Sequence, residues 1–523
     1  MAHKNWTLVA AGIGSGVVFL DSSIVTVALP KIGQELPAAP LGVLEAQSYV
    51  FNSYLLTLSA LLILAGALCD YYGRRRTFAI GLAGFGIASA LCGVAPTMLT
   101  LILARALQGA VGALLVPGSL ALLNATFQGE ERGRAFGIWA GLSGATTILG
   151  PFVGGTLVDS LSWRAAFLIN VPLVLFGLLI TMRYVAESRD EHATGRLDWL
   201  GAAVGAIAIG GLAVGAISGQ QREWRDPVAF VALGIGAVAL VIFPFLMMRR
   251  PDPLVPPELF KSRNFTVTNL ATLVLYGALY VSFYYTPLFL QGTLGYTAAA
   301  GGLALMPGSL FMIFFSTRFG ALAERFGPRR FMAAGPVIMA LGLLWYARLP
   351  ADSMPWQARP GDPATLIPPG GYFVDVLPGV LLFGMGLMMM VAPLTTALMS
   401  SVPEEHSGLA SAINNAISRI GPQLVGALVF VAITASFYQS LAAQAPAIDV
   451  SQPDVRAHVS PLNPPPDDLP PDLAEAVRRA SAMAYHLAMV VSAGMLLLGA
   501  GISAVGISDR QLTASNAPAV PPG

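Results

Sequence analysis

The chain of 523 residues is 55% hydrophobic and only 11% charged, with a mean hydropathy of +0.68. Because soluble domains carry roughly 25% charged residues, this composition excludes an ordinary soluble domain and predicts a polytopic membrane protein. The formal net charge of +1 gives no reason to expect nucleic acid as a partner.

Fourteen apolar segments are long enough to cross a bilayer, since a membrane-spanning helix needs about 20 apolar residues. They are predicted at approximately residues 7–30, 48–69, 77–95, 98–122, 134–157, 164–183, 197–217, 227–248, 265–289, 298–322, 331–349, 374–397, 409–437 and 482–507. The alternation typical of β-strands is absent from the sequence, so we expect an all-α protein. The first segment contains Asp21 and lacks a small-residue cleavage site, which indicates an uncleaved span and not a signal peptide.

The hairpin after the second span combines an acid, a turn glycine and consecutive arginines, and the hairpin after the tenth span repeats this pattern. The matching residues are Gly66, Asp70, Gly73, Arg74 and Arg75 in the first hairpin, and Gly320, Glu324, Gly327, Arg329 and Arg330 in the second. The repeated spacing indicates two related halves, with a cytoplasmic gate motif in each. Basic hairpins stay on the cytoplasmic side, and an even number of spans then places both chain termini there.

The positions of the two hairpins predict the domain organisation. We expect an N-terminal six-helix half at 1–190, two inserted helices with a cytoplasmic linker at 191–264, a C-terminal six-helix half at 265–510 with an extracytoplasmic loop at 438–481, and a disordered tail at 511–523. Most of the proline-rich stretch Leu441–Ser481 within that loop is interpreted as a solvated linker. A cap, or a docking surface for a periplasmic adaptor protein, is the alternative. Cys69 and Cys92 lie near opposite ends of successive spans and are not expected to pair.

Ionisable residues within membrane spans are costly and indicate function. Asp21 in the first span and Arg105 in the fourth lie at one depth, roughly 12–14 Å below the outer surface at about 1.5 Å per residue. An ion pair between them would make the proton affinity of the acid sensitive to any disturbance of the pair. A purely structural ion pair is the alternative. Arg419 lies deep in the thirteenth span beside Asn414 and Asn415, and these three residues join the pair as candidates for proton coupling and substrate binding.

Several segments resemble signatures of the major facilitator superfamily, and in particular of its fourteen-spanner drug/proton antiporters. They are residues 20–30 in the first span, 66–78 in the first hairpin, 105–112 in the fourth span and 150–155 in the fifth. The chain has Ser23, Thr26 and Thr146 where that family usually has threonine, asparagine and glycine. The resemblance extends to about residue 510. It implies the major facilitator fold, with proton coupling through the arginine of the fourth span and drug export by exchange.

Two further groups of residues are candidates for the transport mechanism. A small-residue face that lets a partner helix approach closely is formed by Gly137, Gly141, Gly150 and Gly154. The segment that resembles the antiporter signature is the motif Gly150, Pro151, Gly154 and Gly155. An amphipathic cavity is the predicted location of Tyr54, Gln108, Tyr284 and Gln291. For the aromatic residues, a lipid-facing or interfacial position is an equal alternative.

The sequence has no phosphate-binding loop, no Ser-His-Asp arrangement and no Cys/His metal spacing. These absences argue against an ATP-driven pump or an intramembrane enzyme. The resemblance then implies a secondary transporter without a cofactor or metal, with the proton gradient as its energy source. The expected function is antiport of amphipathic, cationic or lipophilic compounds across the cytoplasmic (inner) membrane of a bacterium, with protons and membrane lipids as further partners. The alternatives are a same-fold exporter of a lipid, siderophore or amino acid, and a component of an adaptor-linked efflux assembly.

Overall fold

The computed structural model describes residues 2–508 except 39–41, 128, 189–197, 222–226, 251–252, 256, 360, 403–406 and 447, and at some helical positions it describes the backbone without the side chain. In this part of the chain the regular structure is helical, and the one β-type pairing is a single bridge between Arg359 and Asp362. The all-α expectation is therefore confirmed. The predicted tail at 511–523 lies outside the described residues.

The first helix group comprises α1 to α8. Their bounds are α1 Ala2–Glu35, α2 Val43–Tyr72, α3 Arg74–Gly93, α4 Met98–Gly112, α5 Leu115–Thr126, α6 Gly129–Ser160, α7 Ala165–Leu168 and α8 Asn170–Tyr184. The pair α4 and α5 forms one apolar segment, and α7 and α8 form another. Two further helices follow, α9 Trp199–Gln221 and α10 Pro227–Arg249.

The second helix group comprises α11 to α18. Their bounds are α11 Arg263–Leu288, α12 Ala298–Phe326, α13 Pro328–Tyr346, α14 Gly370–Asp375, α15 Leu377–Met399, α16 Ser407–Gln444, α17 Pro453–His458 and α18 Pro471–Gly506. A 3₁₀ turn at Pro257–Lys261 precedes α11, and a π-helical turn at Phe289–Thr293 follows it. A second 3₁₀ turn lies at Pro363–Leu366.

Eleven segments of the described chain are long and apolar enough to cross a membrane. The fifth, tenth and eleventh predicted spans correspond to α6, α12 and α13, which have 32, 29 and 19 residues but are not among the eleven. At about 1.5 Å per residue, α6 and α12 are nevertheless longer than the roughly 30 Å thickness of a bilayer core, and α13 nearly matches it. The protein is therefore confirmed as multi-spanning, whereas the number fourteen stays a prediction.

The same set of packing pairs occurs in both helix groups. Helix α1 packs against α6 and α8, as α11 packs against α16 and α18. Helix α4 packs against α2 and α3, as α15 packs against α12 and α13. The groups meet where α6 contacts α12 and where α2 contacts α16. Helices α9 and α10 pack against each other, and α9 lies against both α2 and α16. The domain boundaries given above remain predictions.

Local sequence signals account for several helix ends. Hydroxyl groups of Thr97, Ser262 and Thr297 accept hydrogen bonds from backbone N–H groups at the starts of α4, α11 and α12, as N-cap residues do. Gly73 and Gly327 have φ angles of 102° and 83°. Side chains other than glycine rarely adopt such angles. Each glycine therefore permits the sharp turn between two antiparallel helices, α2–α3 and α12–α13.

The loop between α16 and α18 is folded against the bundle, so its interpretation as mainly a solvated linker is wrong. Leu462 is fully buried, and its N–H donates to Ser481 Oγ at 3.1 Å. The Tyr438 hydroxyl donates to the buried Val459 carbonyl at 3.1 Å. These contacts tie the loop to α16 and α18, which matches the alternative interpretation as a cap.

Candidate functional site

The carboxylate of Asp21 on α1 is held entirely by side chains of its own helix group. Its Oδ2 accepts from Arg105 Nη1 at 2.5 Å, and its Oδ1 accepts from Gln108 Nε2 at 2.9 Å and from Asn170 Nδ2 at 3.0 Å. All four residues have no exposed surface. Three hydrogen bonds, one of them from the charged guanidinium of Arg105, compensate the cost of burying an ionised carboxylate. The ion pair expected from the matching depths of Asp21 and Arg105 is thus present.

Several groups besides Asp21 hold the side chain of Arg105 on α4 in place. Its Nε donates to the Val50 carbonyl at 3.2 Å, and Nη1 also donates to Gln108 Oε1 at 2.5 Å. The guanidinium carbon lies 4.2 Å from the centre of the Tyr54 ring, a cation–π contact. Nη2 is buried without a hydrogen-bond partner, which costs free energy in a buried group. The guanidinium is therefore well placed but incompletely satisfied.

A second layer of polar groups positions the amides. Gln108 Nε2 donates to Ser89 Oγ at 2.7 Å, and Asn170 Nδ2 lies 3.4 Å from the same oxygen. The Cys92 thiol faces Gln108 Oε1 at 3.6 Å. Cys69 and Cys92 form no disulfide, as expected, and both are buried. Sequence reasoning gave Asn170 no role and overlooked Ser89. Only the three-residue spacing of Arg105 and Gln108, which puts both on one helix face, could have indicated the network.

Arg419 on α16 lies apart from this network. It is 5% exposed, its Nη1 donates to the Tyr280 hydroxyl at 3.3 Å, and its guanidinium carbon lies 5.9 Å from the centre of the Phe19 ring. Among the described side chains no carboxylate pairs with it. Phe19 lies on α1, two residues before Asp21. Its contact with Arg419 therefore places Arg419 at the junction of the two helix groups.

Asn414, near Arg419, belongs to a polar stripe between α11 and α16. Asn414 Nδ2 donates to Asn269 Oδ1 at 3.0 Å and to Thr272 Oγ1 at 2.9 Å. The Asn415 carbonyl accepts from the Ser418 hydroxyl at 2.8 Å. The structure therefore places both asparagines within the second helix group and does not bring them to Asp21.

The small residues of α6 form two contact faces. A Cβ at Gly150 would lie 1.9 Å from Ser23 Oγ, and one at Gly154 would lie 2.9 Å from an Ile24 side-chain carbon, both on α1. A Cβ at Gly155 would instead lie 2.4 Å from the Ala298 carbonyl oxygen of α12. The expected close approach is therefore present, with one face toward α1 and the other toward the second helix group.

Pro151 also contributes to the contact between the groups, because its carbonyl oxygen lies 2.4 Å from the Cβ position of Gly302 on α12. Nearby, the Asp159 carboxylate accepts from the Ala298 and Ala299 N–H groups at 3.2 and 2.7 Å. An acid at a helix N-terminus is favourable. These contacts join α6 and α12 at the end of the bundle that lies opposite the basic hairpins, which we call the far end.

Other residues close the same far end. Gln47 Nε2 donates to Asn463 Oδ1 at 3.0 Å and to the Leu29 carbonyl at 2.9 Å, and Asn463 Nδ2 donates back to Gln47 Oε1 at 3.2 Å. Gln291 Nε2 donates to the Val27 carbonyl at 3.2 Å. The amide pair of Gln47 and Asn463 joins α2 to the folded loop before α18, so the cap is bonded to both helix groups.

The cavity candidates are placed differently from one another. Tyr54 and Gln108 are fully buried in the Arg105 network, and Tyr284 is 5% exposed, with its ring 5.1 Å from that of Phe51. Gln291 lines a cavity of about 830 Å³ at the far end. In this conformation the first three are packed residues, and their role as cavity lining remains a prediction.

The two basic hairpins share one hydrogen-bonding scheme. Arg75, two residues after Gly73, donates from Nη2 to the Met182 carbonyl at 2.5 Å. Arg329, two residues after Gly327, donates from Nε to the Ala504 carbonyl at 2.5 Å. Each acceptor lies in the last turns of the final helix of its own group. The hairpins therefore clamp α8 and α18 in equivalent ways.

The first hairpin has an additional anchor that sequence reasoning missed. The Glu187 carboxylate accepts from the backbone N–H groups of Arg75 and Arg76 at 3.0 and 3.1 Å, and Arg74 N–H donates to the Ser188 carbonyl at 2.8 Å. Glu187 thus caps the N-terminus of α3.

The two hairpin motifs also contain Gly66, Gly320, Arg330, Asp70 and Glu324. A Cβ at Gly66 would be 3.9 Å from Pro117, and one at Gly320 would be 3.8 Å from Ala392, so both positions make ordinary packing contacts. Arg330 is exposed. The side chains of Asp70 and Glu324 lie outside the described part of the structure.

A multi-spanning helical bundle with a buried ion pair between its helices is the architecture of a membrane transporter. The sequence profile of the Major Facilitator Superfamily matches residues 11–199 and 197–426. The chain belongs to this superfamily, and it is a secondary transporter and not an enzyme, as expected.

Named relatives are bacterial resistance proteins. The chain is 33% identical to the multidrug resistance protein Stp of Mycobacterium tuberculosis (strain CDC 1551 / Oshkosh) over 457 residues, 87% of this chain and 80% of the relative. It is 33% identical to the puromycin resistance protein pur8 of Streptomyces alboniger, covering 81% and 80% of the two chains. It is 32% identical to the methylenomycin A resistance protein of Bacillus subtilis (strain 168), covering 82% and 86%.

Solved structures show the same fold at lower identity. A bacterial homologue of the human lysosomal transporter Spinster, in an inward-facing and unoccupied conformation, superimposes with a TM-score of 0.63 at 15% identity over 99% of both chains. A peptide transporter in complex with sulfate gives a TM-score of 0.62 at 15% identity over 97% of this chain and 95% of that one.

Proposed function

We propose that this protein exports amphipathic compounds, cationic or lipophilic, from a bacterial cytoplasm in exchange for protons, as a fourteen-span antiporter. The observation that carries the proposal is the buried cluster in which Asp21 is held by Arg105, Gln108 and Asn170. Intramembrane carboxylates are costly and commonly serve as proton relays or ligands. The resistance proteins named among the relatives support drug export as the biological role.

The ion pair supplies the means of coupling. While Arg105 holds the carboxylate of Asp21, the charged form of the acid is stabilised by an opposite charge. When Arg105 moves away, burial favours the neutral form, and the carboxyl group takes a proton. A positively charged group of a substrate neutralises the same negative charge. Proton and substrate therefore compete, which is what an exchange mechanism requires.

The contacts between the helix groups provide the gate. The Asp159, Gln291 and Asn463 contacts hold the far end together, and we infer that this end faces the outside because the arginine hairpins favour the cytoplasm. The conformation is then the one closed to the outside. Rocking of the two groups about the central region would break these contacts and open the far end.

The proton gradient provides sufficient energy for uphill export. One charge crossing a membrane potential of about 100 mV yields about 2.3 kcal/mol, and the pH difference adds to it. Each 1.4 kcal/mol corresponds to about tenfold in concentration. Entry of a single proton can therefore sustain a gradient of well over tenfold for a neutral substrate. Exchange of one proton for a singly charged cation moves no net charge, so that substrate is driven by the pH difference alone.

Transport by purified protein in proteoliposomes tests the proposal. With an imposed pH gradient, a panel of cationic dyes, neutral lipophilic drugs, amino acids and siderophores is offered from the side of the basic hairpins. We expect dye or drug movement that stops when a protonophore collapses the gradient, together with proton flux elicited by the dye. Proton-coupled movement of amino acids or siderophores alone would instead favour the same-fold exporter of a physiological solute.

A further inference from the structure

The amide of Asn170 has a buried carbonyl oxygen that makes no hydrogen bond. The other end of the amide, Nδ2, donates to Asp21 Oδ1 at 3.0 Å. An ionised carboxylate can only accept hydrogen bonds, so the amide must turn its NH₂ toward Asp21 and leave its oxygen unpaired. The arrangement thus supplies a hydrogen bond to the Asp21 carboxylate but leaves Oδ1 of Asn170 without one.

The other two donors cannot serve a protonated Asp21 in the same way. Arg105 carries no acceptor atom. Gln108 uses both ends of its amide, because Oε1 accepts from Arg105 Nη1 at 2.5 Å and from the Cys92 thiol at 3.6 Å while Nε2 donates to Asp21 and to Ser89 Oγ. Oε1 therefore keeps one donor when Arg105 moves away. Once Asp21 takes a proton, its new O–H group needs an acceptor. Within the described cluster, the unpaired oxygen beside it belongs to Asn170.

We propose that Asn170 is a positioning residue whose amide turns over when Asp21 is protonated, so that Oδ1 accepts the hydrogen bond from the new carboxyl O–H. The inference rests on the proposed role of Asp21 in proton coupling. Turning the amide about its Cβ–Cγ bond exchanges nitrogen and oxygen with almost no change in shape, and this torsion has broad minima. The Ser89 hydroxyl, 3.4 Å from Nδ2, can accept from the amide in one orientation and donate to it in the other.

The titratable and charged groups around Asp21 are already engaged. Arg105 on α4 pairs with it, the Tyr54 hydroxyl on α2 donates to the Val18 carbonyl at 3.3 Å, and the Cys92 thiol on α3 faces Gln108. Arg419 on α16 lies against Phe19 and hydrogen-bonds to Tyr280. On α8 the described group that faces Asp21 is the neutral amide of Asn170. The amide therefore follows the protonation state without adding a charge of its own.

Infrared difference spectra between high and low pH test the rotation in the purified full-length protein. Asp21→Asn identifies the carboxylic C=O band of Asp21 by its disappearance. In the wild type, labelling of asparagine side chains should reveal an asparagine carbonyl band that changes together with the Asp21 band, and Asn170→Leu should remove it. The Asp21 band should also move in Asn170→Leu, because its O–H has lost its acceptor. A wild-type spectrum without any asparagine band would overturn the inference, and that measurement needs no variant to fold.

A matched pair of variants provides a second readout, the pH midpoint of substrate-induced proton release. Gln108→Leu removes a donor that the ionised acid binds more strongly than the protonated acid, and it should raise the proton affinity about tenfold, or about one pH unit. Asn170→Leu removes one hydrogen bond from each form, so its midpoint should stay close to that of the wild type. An equal rise in both variants would mean that Asn170 is a fixed donor, which contradicts the inference. Proton release that persists in Asp21→Asn would instead refute the proposed function itself.

Discussion

Arg105 Nη1 lies 2.5 Å from Asp21 Oδ2, and neither side chain has any exposed surface. In such a pair the attraction between the two charges offsets the free-energy cost of their desolvation only while they remain together. A motion that separates α1 from α4 is therefore favoured by any event that neutralises one of the two charges, and protonation of the acid is the simplest one. In the proposed mechanism the pair would thus link a helix movement to a proton.

Replacement of Arg105 by lysine should weaken this link without removing the positive charge. An ammonium group lacks the planar fork that reaches Asp21, Gln108 and the Val50 carbonyl together. We expect the pH midpoint of substrate-induced proton release to rise and export to slow. Arg105→Ala should be worse, with a loss of about 3–5 kcal/mol in stability because Asp21 is left as a buried unpaired charge. A wild-type midpoint in Arg105→Lys, measured by pH indicator dye, would show that the fork has no role in coupling.

A leucine at Gly150 should abolish exchange while the protein still inserts into the membrane. The Cβ position of Gly150 lies 1.9 Å from Ser23 Oγ, so a side chain there must push α6 away from α1. Gly426→Leu on α16 is the matched control, because no atom lies within 4 Å of its Cβ position. Dye export by well-expressed Gly150→Leu at the rate of the control would contradict the role of this face.

Loss of the amide pair at the far end should make that end open more readily. Asn463→Leu leaves Oε1 of the buried Gln47 without the donor that Asn463 Nδ2 supplies, which costs about 1–3 kcal/mol. Alkylation of a cysteine placed at Leu29 by a membrane-impermeant reagent reports the opening, after subtraction of labelling at the buried Cys69 and Cys92. We expect labelling to accelerate about fivefold or more.

The control for that experiment is Gln452→Leu, since Gln452 is an exposed residue of the same loop and its replacement should leave the labelling rate unchanged. If Asn463→Leu labels no faster than this control, the far end is held closed by other contacts.

The cap on α3 should affect turnover more than substrate affinity. Glu187→Gln removes the charge that faces the Arg75 and Arg76 N–H groups, at a cost of about 0.5–2 kcal/mol. Because the hairpin is distant from Asp21, substrate Kd should be nearly unchanged while the transport rate falls.

Arg329→Ala, in the second hairpin, should also slow transport with little change in substrate Kd. We also expect slower transport with nearly intact affinity for Asp70→Asn, a prediction that comes from the sequence alone. A large rise in Kd with a normal rate would place substrate at the hairpin.

The features that were predictable from sequence are those that the bilayer itself imposes. Long apolar segments must be helical, so the bundle followed from composition. An isolated Asp21 and Arg105 at one depth have few ways to be accommodated except by pairing. Repeated glycine and arginine spacing likewise anticipated the two equivalent hairpins.

The features that were missed depend on contacts between distant parts of the chain. Asn170, Ser89 and Glu187 are ordinary polar residues whose roles arise only when α3, α4 and α8 pack around α1 or one another. The loop around Asn463 has the composition of a proline-rich linker. Its contact with the bundle involves Gln47, which lies more than 400 residues earlier in the chain. The local sequence of the loop contains no signal for this contact.

Proton release on substrate binding by detergent-solubilised protein, measured across a pH series, tests the role of Asp21 most directly. The wild type should release protons when a cationic substrate binds, with a midpoint that marks the exchange of proton for substrate. Asp21→Asn mimics the protonated acid and should release none, although it should remain folded and able to bind neutral lipophilic compounds. If Asp21→Asn releases protons with the wild-type midpoint, the coupling carboxylate lies elsewhere and the mechanism is wrong.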